Sequence, residues 1–149
     1  MVNIRMAVPE DIEFIAQSQL SMAMETEQLQ LNSSTVAAGV KAVLTNADRG
    51  FYIIATINHE PAGCLMITPE WSDWRNAWVW WIQSVFVKPD MRQAGVFGAM
   101  YSFIKQQVMQ RNDVAGIRLY VDNTNQRARG VYARVGMSDQ HYRTFEWMK

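Results

Sequence analysis

The 149-residue chain has one cysteine, Cys64, and two histidines, His59 and His141. A lone cysteine cannot close an internal disulfide, and so few ligating side chains argue against a structural zinc site, so no metal is expected. Net charge is also missing, because 14 lysines and arginines balance 14 aspartates and glutamates. Without a basic field, neither nucleic acid nor anionic lipid is expected as a partner. No run of about 20 apolar residues exists to span a membrane. The densest apolar stretch, Ala77 to Val87, is interrupted by Gln83 and Ser84. The opening Met1-Val2-Asn3-Ile4-Arg5-Met6 lacks the apolar core of a secretory signal, so the expected location is the cytoplasm. No linker, repeat or low-complexity segment divides the chain. What is there is 49% apolar, enough for one domain over residues 1–149 with a substantial core.

The hydrophobic pattern predicts an order β-α-α-β-β-β-α-β-α-β. Val2 to Met6 reads as a strand, and Pro9-Glu10-Asp11 supplies a helix start. Ile12, Ile15, Ala16 and Leu20 follow at helical spacing. Ser34 is the expected cap of a second helix carrying Val36, Val40, Val43 and Leu44. Strands are expected at Phe51–Ile57, Ala62–Thr68 and Trp78–Val87, with a loop at 69–76. Phe97, Met100, Tyr101, Ile104 and Val108 mark a third helix. Ile117–Val121 reads as a strand, Gln126–Arg134 as a short helix closed by Gly136, and Tyr142–Trp147 as a last strand. The alternation implies an α/β (α+β) fold whose mixed central sheet carries helices on both faces.

Chemistry concentrates in Gln83 to Gly98, QSVFVKPDMRQAGVFG. A buried strand runs through a glycine-containing loop into a helix. That arrangement aims unsatisfied N–H groups and the positive end of the helix dipole at one point, which attracts phosphate. Gly95 and Gly98 let a ligand approach the backbone, and Arg92 adds a cation. The segment is neither a P-loop nor a dinucleotide fingerprint. A plain helix-start loop, with glycines for packing, is the structural alternative.

Val85 to Gly98 also resembles the acetyl-CoA signature of the GNAT superfamily of N-acetyltransferases, Arg/Gln-x-x-Gly-x-Gly/Ala. Arg92 and Gly95 match its first two fixed positions, while Phe97 stands where Gly or Ala is expected and Gly98 lies one later. Asn125, Ala128, Tyr132, Gly136 and Met137 fall in register on the second signature, and Arg5 with Asp11 on the family's opening. The resemblance implies a mostly antiparallel sheet and acetyl-CoA as cosubstrate. It implies that backbone of Val85, Phe86 and Val87 holds the pantetheine arm, and that Arg92, Gln93, Ala94, Gly95, Val96, Phe97 and Gly98 receive the diphosphate. Asn125 would touch the cofactor. Tyr132 would be the general acid for the departing thiolate, against the alternative of a core aromatic.

The implied reaction is direct attack by an amine on the thioester, so Cys64 is not needed as a nucleophile. Some relatives carry a glutamate base on the strand before the loop, but this strand has no acid between Ala77 and Lys88. The base is then a bound water or Glu25, Glu27, Glu70 or Asp73 reaching in from loops; Glu25, with Glu27, sits where the family builds its acceptor site, which makes Glu25 the first candidate base and Glu27 a candidate substrate contact. Trp71 and Trp74, expected in a loop, are candidates for an acceptor-binding wall or a dimer contact. The acceptor is expected to be a small-molecule or peptide amine, and a homodimer is common among relatives. Competing expectations are a silent acyl-CoA sensor and a protein-interaction module.

Overall fold

The computed structural model describes residues 1–149, which fall into two compact units, Met1–Arg118 and Leu119–Lys149. In the first, five strands lie in sequential order: β1 (Val2–Met6), β2 (Phe51–Ile57), β3 (Glu60–Ser72), β4 (Ala77–Val87) and β5 (Val114–Arg118). The first three pairings are antiparallel and β4–β5 is parallel. Helices α1 (Ile12–Glu27) and α2 (Ser33–Thr45) join β1 to β2, and α3 (Val96–Met109) joins β4 to β5. No helix is long and apolar enough to cross a membrane.

Strand alternation distributes the core between two faces. Tyr52, Ile54 and Cys64 pack with Ile15 and Ala16 of α1 and Val40 of α2. Ile53 and Leu65 point the other way and are fully buried, as are Met100 and Ile104 of α3. Gly63 faces α3 too, since a Cβ there would stand 3.2 Å from Val96 Cγ1. The expected helices on both faces of a mixed sheet are therefore present.

Arg5 of β1 donates to both oxygens of buried Asp11, at 2.6 and 2.8 Å, and the Val8 amide donates to the same carboxylate at 2.8 Å. Burial alone would raise the Asp11 pKa, but these hydrogen bonds and the Arg5 charge bring it below the ordinary value. The acid thus ties β1 to the start of α1 rather than only meeting a helix dipole.

Several expectations need correction. The second helix is capped by Asn32, whose side chain accepts from the Thr35 amide; Ser34 instead donates to Asn32. The strand expected to stop at Thr68 continues to Ser72, so Trp71 is in β3 and the turn is confined to 73–76. Pro69 is tolerated because β2 ends opposite Ile67, leaving that side of β3 an edge where no ladder donor is required. The strand expected at Ile117–Val121 lies at Val114–Arg118, because the available β4 partners are Trp78 to Trp81. Partner geometry overrides the strand propensity of Tyr120 and Val121.

In the second unit, α4 (Gln126–Arg134) is capped by Asn125 Oδ1, which accepts from the Ala128 amide at 3.0 Å. It closes as expected at Gly136, φ 90°, with the Met137 amide donating to Tyr132 O at 3.1 Å. The last strand does not form: residues 138–149 carry no regular element, and Tyr142, Phe145 and Trp147 are exposed. Aromatic and β-branched side chains confer the capacity to be a strand, but a ladder also requires a paired edge, and none of the five strands pairs with this segment.

Candidate active site

The site begins with an irregularity in β4. Met66 pairs with Gln83, but Cys64 pairs with Phe86, so Ser84 and Val85 together oppose Leu65. This is a β-bulge, and Ser84 takes φ +54° to make it. On the other edge, β4 pairs with β5 only from Trp78 to Trp81. Beyond Trp81, the edge that carries Val85, Phe86 and Val87 has no strand beside it. Such an edge can accept an extended amide-bearing chain as an added strand.

β4 leads into a turn at Pro89–Met91, then the loop and α3. Gln93 at φ 71° and Gly95 at φ 77° both adopt left-handed backbone, folding the loop into a concavity before the helix. The first bond inside α3 runs from the Ala99 amide to Gly95 O, so the amides of its opening turn precede the helical ladder. The positions a Cβ would occupy on Gly95 and Gly98 meet no heavy atom within 4 Å. Bare backbone therefore borders open space at the positive end of a 14-residue helix. This geometry fits a diphosphate. Buried Val96, with Met100 and Ile104 one and two turns further, anchors the helix beneath the loop.

Arg92 and Glu25 meet. The guanidinium donates from Nη1 and Nη2 to the two Glu25 oxygens, at 2.5 and 2.6 Å, and from Nε to Val87 O at 3.2 Å. Hydrogen bonding to Glu25 raises the Arg92 pKa further, so the group is a permanent cation. Glu25 stands in the last turn of α1, and Glu27 ends that helix, exposed. The arginine expected on the cofactor side and the acid expected on the acceptor side thus form one ion pair. A separation of 67 positions left no sequence signal for it.

In the second unit, Asn125 and Tyr132 sit at the cap and in the second turn of α4. The Asn125 side chain is engaged in capping. Tyr132 is half-buried, and burial raises its pKa above the ordinary tyrosine value. It therefore holds its proton at neutral pH, the state a proton donor requires.

Trp71 and Trp74 differ from each other. Trp71 pairs with Trp78 across the strands and packs edge-on against it, centroids 4.9 Å apart, with half its surface exposed. Trp74, in the turn, is 90% exposed. On the opposite side of β4, the Trp81 indole N–H donates to Glu70 at 2.6 Å and Arg118 donates to the same carboxylate at 3.0 Å. Gln83 meets the Thr68 hydroxyl. Sequence reasoning missed this polar row, since it depends on the pairing register of β3 and β4. Cys64 is fully buried, and burial pushes its thiol up to about 12, leaving it un-ionised and unreactive.

The family model described as acetyltransferase (GNAT) family matches residues 16–137. The crystal structure of a possible acetyltransferase from Clostridium difficile 630 is 34% identical, covering 100% of this chain and 98% of that one, with TM-score 0.92. A predicted acetyltransferase with acetyl-CoA from Clostridium acetobutylicum is 19% identical, covering 100% and 95%, with TM-score 0.73. Ribosomal-protein-alanine N-acetyltransferase from Brucella melitensis biovar Abortus 2308 is 13% identical, covering 99% and 100%, with TM-score 0.78. The last two share the fold. No curated protein sequence matches the chain.

Proposed function

The chain belongs to the acetyltransferase (GNAT) family, and from that premise we propose that it acetylates a primary amine, on a small molecule or a peptide, using acetyl-CoA by direct attack. The observation that carries this reading is the unpaired stretch of β4 past Trp81, running straight into a glycine-lined concavity at a helix N-terminus. The open edge suits an amide-bearing arm, and the concavity suits a diphosphate. A carrier with both parts in that order matches both.

Acetyl-CoA supplies an activated thioester. The amine nitrogen bonds to the carbonyl carbon, the carbon–sulfur bond breaks, the nitrogen gives up one proton and the sulfur takes one. Backbone of Val85, Phe86 and Val87 holds the arm, while Arg92 and the amides of Gln93 to Gly98 hold the phosphates. Asn125 contributes from the α4 cap. Tyr132 donates the proton to sulfur, a role supported by its raised pKa. On the acceptor side Glu25 takes the amine proton, Glu27 adds attraction for a cation, and Trp71 and Trp74 form the wall. The test is a thiol-release screen across amines, amino acids, polyamines and aminoglycosides. Turnover with any of them supports the reading. Binding of acetyl-CoA with no thiol released across the whole panel supports the silent-sensor alternative, which the lack of an acid on β4 favours.

A further inference from the structure

Arg92 is the sole basic residue from Pro89 to Gly98. The preceding cation, Lys88, is turned over the Phe14 ring, 5.6 Å from its centroid. The loop that would receive a diphosphate thus has one cation of its own, and both of that cation's terminal nitrogens rest on Glu25. Two anions, one of them a side chain of this protein, compete for a single guanidinium. We infer that the Glu25–Arg92 pair is a switch between the two substrate sites: filling the loop draws Arg92 off Glu25 and releases that carboxylate to the acceptor side.

This rests on the acetyl-CoA reading and couples the two halves of that site through one ion pair. A diphosphate carries more charge than a carboxylate and is surrounded by loop amides, so it wins the guanidinium. Until it arrives, Glu25 is held by Arg92; afterwards it can face a cationic amine. Arg92 keeps its Nε bond to Val87 O as a pivot in both states. Linkage is reciprocal, so Glu25 must in turn weaken cofactor binding.

The sign of one effect tests the switch. Titration calorimetry with coenzyme A should show Glu25→Gln binding about two- to fivefold more tightly than wild type, the range expected of a partly exposed ion pair. Glu13→Gln, the same charge change elsewhere on α1, should leave affinity unchanged. In an Arg92→Gln background the gain from Glu25→Gln should vanish. Hydrogen exchange should show residues 24–28 losing protection when coenzyme A is added to wild type, and no such loss in Glu25→Gln. Weaker or unchanged binding by Glu25→Gln, an equal gain without Arg92, or increased protection at 24–28 overturns the switch while leaving the cofactor reading intact. Failure of wild type to bind coenzyme A at millimolar concentration overturns both.

Discussion

Gly95→Asp is the sharpest probe of the proposed phosphate loop, because its structural and electrostatic costs can be worked out separately. Gly95 has φ 77° and ψ 12°, left-handed backbone that costs an L-residue about 1 kcal/mol. No heavy atom lies within 4 Å of the new Cβ, so no clash adds to that strain. For a chain of this length the melting temperature should fall by only about 3 °C. The new carboxylate, in contrast, would face the diphosphate. At about 5 Å and an effective dielectric of about 20, each pair of unit charges repels by roughly 3 kcal/mol before salt screening. A net penalty of about 2–3 kcal/mol corresponds to roughly a 30- to 150-fold rise in Kd. Gly95→Ala carries the same strain without the charge and should lose much less affinity. Titration calorimetry with coenzyme A, paired with thermal denaturation of each variant, separates the two costs. Wild type should also gain about 2.7 kcal/mol of stability at 100 times Kd. If folded Gly95→Asp bound coenzyme A within threefold of wild type, the phosphates would not lie at this loop.

Three further outcomes are expected. Tyr132→Phe should lower kcat by roughly 10²–10⁴-fold with coenzyme A affinity unchanged, as removal of a proton donor requires; an unaltered rate would take the hydroxyl out of the mechanism. Asp11→Asn should cost about 2–3 kcal/mol in urea unfolding at pH 7, since a buried carboxylate loses its pairing with Arg5. Its folded pKa is depressed, so its contribution is complete above the unfolded value of about 3.9 and is lost as pH falls through the folded one. The gap between wild type and variant should therefore shrink below about pH 4, and a constant gap from pH 7 to pH 3 would contradict the assignment. Gly63→Ala places a Cβ 2.6 Å from Phe86 O and 3.4 Å from Val87 Cα. It should destabilise the fold by about 1–3 kcal/mol and weaken coenzyme A binding by displacing the end of β4; a melting temperature equal to wild type would show that β4 yields there without cost.

The sequence made legible whatever depends on nearby residues. The bounds of β1, β2 and α4 follow from local apolar periodicity, and Gly136 announces the end of α4. The Gly95 loop was legible too, since a strand–loop–helix order and two glycines are written consecutively. Features that depend on a distant partner were not. β5, at Val114–Arg118, sits three residues earlier than the expected Ile117–Val121, because β4 offers an edge only from Trp78 to Trp81. Tyr142–Trp147 is rich in aromatic residues but has no paired edge. The Glu25–Arg92 pair joins the end of one helix to a loop far along the chain, and neither residue type carries its partner's address.

The bulge explains how β4 comes to carry an open edge beside the Gly95 loop. Before it, Trp78, Trp80 and Ile82 lie opposite Trp71, Pro69 and Ile67, on the face that α3 covers. After it, Phe86 lies opposite Cys64 and joins the core beneath α1 and α2. One inserted residue therefore lets β4 serve both cores, which an uninterrupted period of two cannot do. A bulge also bends its strand and increases local twist. That bend comes just after the last pairing with β5, so the two strands part where β4 changes face. Because Ser84 pays for left-handed backbone without being glycine, the strain persists only if the surrounding packing demands it. Here both cores do, with Ile82 held on one side and Phe86 on the other. The open edge is thus a consequence of how the two faces are packed, and it is built into the fold before any ligand arrives.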